Sequence, residues 1–186
     1  PARPCLSRRE FLLGGAATTT IFLMACRRRE TVAGAGDDLE ALEAELARYP
    51  RKRVGAVSQL QTDVPIRFNY PHEELNSLSF MVKLGVPAGG GVGPGSDIVA
   101  FNTLCTHMGG DLSDTKTSYL KDYKIVGPCP LHLTTYDLTR YGMVVAGFAT
   151  ESLPQVVLEV EGDEIYATGI LGLIYGKHNS LDTAAL

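Results

Sequence analysis

The sequence predicts an all-β body, on three observations. From Val54 onward the apolar positions alternate or gather in short β-branched runs, Gly, Pro, Asn and Asp separate those runs, and helical periodicity is confined to one stretch ahead of Pro50. Residues 64–70, 78–84, 97–103, 123–126, 143–146, 155–160, 164–168 and 171–175 read as strands. Glu161-Gly162-Asp163 reads as a hairpin turn between two of them. Residues 87–95 hold five glycines and two prolines but no helix-opening phosphate fingerprint, and read as a surface loop.

At 186 residues the chain forms one domain with appendages and buries a core without help from disulfides. Its four cysteines are too sparse for a disulfide framework. The formal charge of −4 conceals an asymmetry, because six of the 17 basic residues but only two of the 21 acidic ones lie in the first 30 positions. Residues 31–186 therefore carry eleven basic and nineteen acidic side chains. Such a body offers no basic face to a phosphate backbone, so nucleic acid is excluded as a partner and a basic protein surface is favoured.

The chain opens on an address. Ser7-Arg8-Arg9-Glu10-Phe11-Leu12 matches the twin-arginine export pattern and leads into 16 uncharged residues, Phe11 to Cys26. That route carries folded proteins, so a cofactor inserted before export travels inside its pocket. A helix of that length spans about 24 Å against a hydrocarbon core of ~30 Å, so retention as an anchor needs Arg27 to Arg29 to snorkel. The alternative fates are cleavage, or lipidation at Cys26, since Leu23-Met24-Ala25-Cys26 resembles a lipoprotein box. Residues 31–36 read as a linker. Asp37-Asp38 then opens a short helix to Tyr49, with Leu39, Leu42 and Leu46 on one face and Pro50 as its stop. The expected organisation is residues 1–30 as export signal or membrane anchor, 31–60 as linker and short helix, and 61–186 as the β domain. A periplasmic location follows, with membrane contact through residues 11–26.

Chemistry concentrates in two short boxes. Cys105-Thr106-His107 and Cys129-Pro130-Leu131-His132 are separated by 21 residues and bring two thiols and two imidazoles on two loops, about 103–112 and 127–137. Two cysteines on one iron and two histidines on the other are the ligands of a Rieske [2Fe–2S] centre. Zinc competes for the same donors, since it accepts two thiolates and two imidazoles in a tetrahedron. A zinc-stabilised binding module without redox activity is thus the reading from a different class. Against it stand the tight loop backbone at Gly109-Gly110 and Pro128-Pro130, the export signal, and a hydroxyl and a phenol just after the second pair. His72 and His178 have no ligand partner nearby and read as surface or packing residues.

The boxes resemble those of Rieske proteins, Cys-x-His-x-Gly-Cys and Cys-x-Cys-His. The resemblance implies an antiparallel β-sandwich or barrel carrying a small cluster-binding subdomain of two loops. It also implies cluster ligation by Cys105, His107, Cys129 and His132, with the imidazoles on the outer, electron-accepting iron. Gly109 matches the motif glycine. The remaining cysteine of each box, which bridges the loops in many relatives, is Gly110 in one and Leu131 in the other. Loops without that bridge are expected to release the cluster more easily on heating. Respiratory members continue Gly-Ser-x-Tyr, where the hydroxyl and phenol donate to sulfur. Here Thr134 and Tyr136 stand at those positions and imply a positive potential within the family range of about −150 to +300 mV. The alternative role for Tyr136 is that of a core aromatic.

The flanks are similar to the small subunit of bacterial arsenite oxidase over roughly residues 60–178. The shared stretches are Asn69-Tyr70-Pro71, Val82 to Gly85, the glycine-rich loop, Asp97 to Ala100, Leu104 to Gly109 with Met108, and Gly172-Leu173-Ile174-Tyr175-Gly176. This resemblance implies a large molybdopterin subunit with a [3Fe–4S] cluster as partner, and a cytochrome c or copper protein as acceptor. The chain itself then transfers electrons rather than binding arsenite. The runner-up is the Rieske subunit of a quinol:cytochrome c complex. A ferredoxin feeding an oxygenase conflicts with export.

Overall fold

The computed structural model describes residues 48–114 and 118–183. Ten strands are present among them: β1 Lys52–Ala56, β2 Ile66–Asn69, β3 Leu78–Lys83, β4 Ile98–Asn102, β5 Tyr119–Leu120, β6 Ile125–Val126, β7 Thr135–Asp137, β8 Met143–Ala146, β9 Gln155–Glu161 and β10 Glu164–Leu171. They form a six-stranded sheet in the order β1-β10-β9-β4-β3-β2 and a four-stranded sheet in the order β5-β6-β7-β8. Every pair of neighbouring strands is antiparallel. The all-β expectation holds.

The central strands are buried on both faces, so their sequences are nearly continuous apolar runs. In β3 and β4, Phe80, Val82, Val99 and Phe101 face a core shared with Tyr119, Val126 and Tyr136 of the small sheet. The alternate residues Met81, Ile98 and Ala100 face a second core with Val156, Leu158, Ile165 and Ala167 of β9 and β10. The long sheet thus serves as one wall of a sandwich while curling around a filling of its own.

Several sequence expectations shift. β1 lies in a segment read as linker and helix, yet it pairs with β10 along the sheet edge. Residues 171–175 are not a strand: β10 ends at Leu171, and Gly172 turns the chain away with φ +95°. The run 123–126 shortens to β6, because Tyr123 N–H bonds the Leu120 carbonyl in a turn and Lys124 adopts φ +55°. The short β5 and β7 carry too few residues to show a period. The β9–β10 hairpin forms as expected, with Glu161 paired to Glu164 across Gly162 and Asp163. In the glycine-rich loop, a side chain at Gly91 would meet the Ser96 carbonyl oxygen at 2.2 Å, so the loop closes on its own backbone.

The export signal, the apolar run 11–26 and the linker lie outside the described residues, as does the predicted helix apart from Arg48 and Tyr49, which are not helical. Among the described residues no helix is long and apolar enough to cross a membrane.

Candidate metal-cluster site

The first loop begins just beyond β4 and folds back on its own start, closed by the Leu104–Asp111 bridge and by Leu112 N–H on the Thr103 carbonyl at 2.8 Å. The second loop joins β6 to β7 in the small sheet. Both are tied by the same pair of bonds. Cys105 N–H donates to the Gly110 carbonyl at 2.9 Å and Cys129 N–H to the Thr134 carbonyl at 2.8 Å, each five residues on. The Cys105 carbonyl accepts from Gly109 N–H at 2.8 Å and that of Cys129 from Leu133 N–H at 2.9 Å, each four residues on. The residue at that fourth position is left-handed in both, Gly109 at φ +67° and Leu133 at φ +61°.

This shared geometry brings together all four predicted donors. Cys105 and Cys129 are buried, and each thiol perturbs the ionisation of the other. Above them the rings of His107 and His132 meet edge to face with centroids 4.6 Å apart, His107 half-buried and His132 exposed. Among the described residues, no three His, Cys, Asp or Glu side chains converge as they would on a single ion. The donors form a sulfur pair and a nitrogen pair, the two ligand pairs that the two irons of a [2Fe–2S] cluster take. His107 Nδ1 is buried without a hydrogen-bond partner among the described residues. A buried polar atom left unpaired is costly, and ligation to metal would satisfy it. The donor set and this orphaned nitrogen fit a [2Fe–2S] cluster.

Neighbouring groups distinguish the two sulfurs. Burial opposes ionisation of Cys105, but the Tyr136 hydroxyl, the His107 N–H, Cys129 and Thr134 together hold its thiol below the usual value. Burial pushes the Cys129 thiol up, and its proximity to Cys105 adds to that rise. Tyr136 is fully buried and its hydroxyl lies 3.1 Å from Cys105 Sγ. Burial raises the phenol's pKa, with Cys105 adding to the effect, so Tyr136 remains a protonated donor. Thr134 is also buried, and its Oγ1 accepts the Phe148 N–H at 3.2 Å. Tyr136 is therefore both a core residue and a sulfur neighbour, so its two sequence readings hold together.

Two residues at the site, Thr106 and Phe148, escape a reading of the sequence. Thr106, between the first two donors, contacts Tyr136 through both its N–H and its hydroxyl. Phe148 is 70% exposed, lies nearly parallel to the His107 ring at 5.9 Å, and meets His132 edge-on at 6.5 Å. Its one sequence signal is an apolar ring directly after Gly147 in a turn. At Gly110 a side-chain carbon would lie 2.5 Å from Cys129 Sγ and 3.2 Å from Leu131 Cγ. The two positions that carry the bridging cysteines in relatives are thus in contact here. Glycine backbone and leucine side chain occupy the space, and both described cysteines are free. His72 Nε2 lies 2.8 Å from the Leu181 carbonyl oxygen, in keeping with a packing role.

Two buried sulfurs with two imidazoles beside them, on two matched loops of an all-β domain, define the class of iron–sulfur proteins with mixed Cys/His ligation. The sequence pattern of the Rieske [2Fe-2S] domain matches residues 52–167, and the chain belongs to that family. It is 52% identical over 174 residues to the iodate reductase subunit IdrB of Pseudomonas sp. (strain SCT), covering 94% of this chain and 84% of that one. A second iodate reductase subunit IdrB, from Denitromonas iodatirespirans, is also 52% identical over 94% of this chain and 86% of its own length. Among solved structures, the soluble domain of Rieske protein II (soxF) from Sulfolobus acidocaldarius superposes with a TM-score of 0.60. It is 25% identical and covers 73% of this chain and 85% of that one. The resemblance to the arsenite oxidase small subunit therefore holds at the level of a Rieske protein, while these sequence relatives are named for iodate reduction.

Proposed function

We propose that this chain is the electron-transfer subunit of a larger oxidoreductase, with Cys105 and Cys129 holding one iron of its cluster and His107 and His132 the other. The observation that carries the reading is the layering of the site: sulfurs buried, the His107 ring half-buried, the His132 ring exposed, and Met108, Leu131, Leu133 and Phe148 exposed nearby. The cluster, when bound, supplies a one-electron couple. The protein's residues do the rest. Burial of the cysteines keeps water from the sulfurs, Tyr136 and Thr134 supply hydroxyls beside them, and the imidazoles offer the shortest path outward.

The catalytic partner in this reading is a large molybdopterin subunit with a [3Fe–4S] cluster, as the arsenite-oxidase-like flanks imply. Two senses of electron flow are then open to one fold. An arsenite oxidase sends electrons out through its small subunit to a cytochrome c or copper protein. An iodate reductase consumes electrons, so the same subunit feeds them inward. Identity of 52% across 94% of the chain favours the inward sense. The site works in the periplasm, delivered already folded through the twin-arginine signal in residues 1–30.

Purification of the native complex tests this. Once the reductant has been removed from the reduced complex, iodate is expected to reoxidise the Rieske signal. Arsenite-driven cytochrome c reduction without iodate turnover would reverse the direction. A co-purifying cytochrome b would move the chain to a quinol complex. A signal-silent, metal-replete protein would remove the redox reading.

A further inference from the structure

More hydrogen-bond contacts surround the Tyr136 hydroxyl than there are protons to fill them. Its oxygen lies 3.1 Å from Cys105 Sγ and 3.0 Å from Thr106 Oγ1, and it accepts the Thr106 N–H at 3.1 Å. Thr106 Oγ1 in turn lies 2.8 Å from the Glu151 carbonyl oxygen, which can only accept, so the threonine proton is committed there. A metal-bound cysteine is a thiolate and has no proton to give. Three contacts then share two protons. If Tyr136 donates to Cys105, its oxygen and that of Thr106 face each other lone pair to lone pair. If Tyr136 donates to Thr106, the sulfur loses its phenol.

From this shortage, and resting on the ligand assignment proposed for the cluster, we propose that Thr106 is a positioning residue that competes with Cys105 for the proton of Tyr136. It thereby holds the reduction potential of the site below the value an uncontested phenol would set. Donation to sulfur favours the reduced site, because the added electron makes the sulfur a better acceptor. Any population in which the phenol turns to Thr106 weakens that preference. The redox step balances simply: one electron enters from a one-electron donor, which is oxidised, and no covalent bond forms or breaks. The phenol proton swings between two acceptors and stays on the Tyr136 oxygen.

The competition differs in sign from a supporting role. Were the threonine hydroxyl merely a brace, its loss would loosen Tyr136 and lower the potential. Under competition its loss frees the phenol for sulfur and raises it.

Redox titration of the full-length, cluster-loaded protein, followed by paramagnetic resonance, separates these outcomes. Thr106→Val is expected to raise the midpoint, with about a two- to tenfold gain in the reduction equilibrium constant, the range of one hydrogen bond redistributed. Thr106→Ser keeps the hydroxyl and should keep the wild-type value. In a Tyr136→Phe background, whose midpoint lies below wild type, Thr106→Val should have no effect, because no proton remains to contest. An unchanged or lowered midpoint in Thr106→Val, or a shift that survives in the Tyr136→Phe background, overturns the proposal. If the valine variant fails to hold the cluster, Thr106→Ala carries the same expectation. The phenol deuteron coupling of the reduced site in heavy water, absent in Tyr136→Phe and expected to be stronger in Thr106→Val than in wild type, supplies a further readout. A phenol deuteron coupling equally strong in wild type and in a variant lacking the hydroxyl would overturn the competition. A wild-type protein with no Rieske signal at all would instead sink the ligand assignment itself.

Discussion

The two ligand loops share a backbone and differ in what sets it. Each closes with Cys N–H on the carbonyl five residues on, and each passes a left-handed residue at the fourth position. In the first loop that residue is Gly109, where a side-chain carbon would meet the Tyr175 ring at 2.6 Å. In the second it is Leu133, 66% exposed. Left-handed backbone costs a branched L-residue about 1–2 kcal/mol and glycine almost nothing. At this position the first loop is therefore relaxed and braced by Tyr175, while the second holds its strain at an exposed residue. Their foundations differ as well. The first extends from β4, buried on both faces, and the second hangs from four short strands. Sequence motif alone would treat the two boxes as equals, yet the fold makes one the anchor and the other the dependent half.

Substitutions across the pair should expose that inequality. The largest effect is expected for Gly110→Ala, whose added carbon would fall 2.5 Å from Cys129 Sγ. Cluster absorbance should be lost nearly completely while the far-ultraviolet β signature remains; full retention would mean that the loops yield freely at their point of contact. Next comes Gly109→Ala, which combines left-handed strain with the collision against Tyr175. It should cost about 2–4 kcal/mol in thermal unfolding, and Tyr175→Ala in the same chain should restore part of the loss.

A smaller loss is expected where the small sheet is fastened. Asp63 is tied to β3 through its N–H on the Lys83 carbonyl, and its carboxylate accepts from Tyr119 at 2.6 Å and from Lys124 at 2.7 and 2.8 Å. Burial alone would raise the carboxyl's pKa, but Lys124, Tyr119 and Lys121 outweigh it and hold it below the ordinary range. A depressed folded pKa gives stability that is present above the unfolded value of about 3.9 and is lost as pH falls through the lower, folded one. Asp63→Asn should therefore lower unfolding stability at pH 7 by about 1–2 kcal/mol, discounted for partial exposure. It should also flatten the acid limb of the stability profile below about pH 4. If that limb keeps its slope, the clasp is not what joins the two halves. The smallest change, Leu133→Gly, is expected to stabilise the second loop by up to about 1 kcal/mol, read as slower cluster release on heating. No gain would show that Leu133's apolar contacts already offset its strain.

Much of this architecture is legible in the amino-acid sequence. The four donors, the two hydroxyl-bearing residues and the interior strands are local patterns, in which residue type and spacing carry the chemistry directly. β3 and β4 stand out because burial on both faces makes their runs continuous. What the sequence hides is non-local or short. β1 exists because β10 offers an edge 111 residues away, as the Arg53–Glu164 pair marks, and its five residues are too few to read as a strand by themselves. β5 and β7 hold two and three residues. At 171–175 the apolar residues suggest a strand, but Gly172 turns them out of the sheet, and Tyr175 becomes the brace for Gly109. Phe148 is hidden for a similar reason, since contact with two histidines depends on three loops meeting.

The glycine and leucine at positions 110 and 131 also bear on how such a protein matures. A site whose loops are crosslinked depends on two operations, insertion of metal and oxidation of a cysteine pair, which favour opposite redox conditions. With no sulfur at either position, the loops around Cys105 and Cys129 skip the second operation. Their assembly is finished once metal is bound, and no thiol oxidase or reductant encountered afterwards has a bond there to make or break. Retention of the metal then becomes a matter of kinetics, set by how rarely two small loops part.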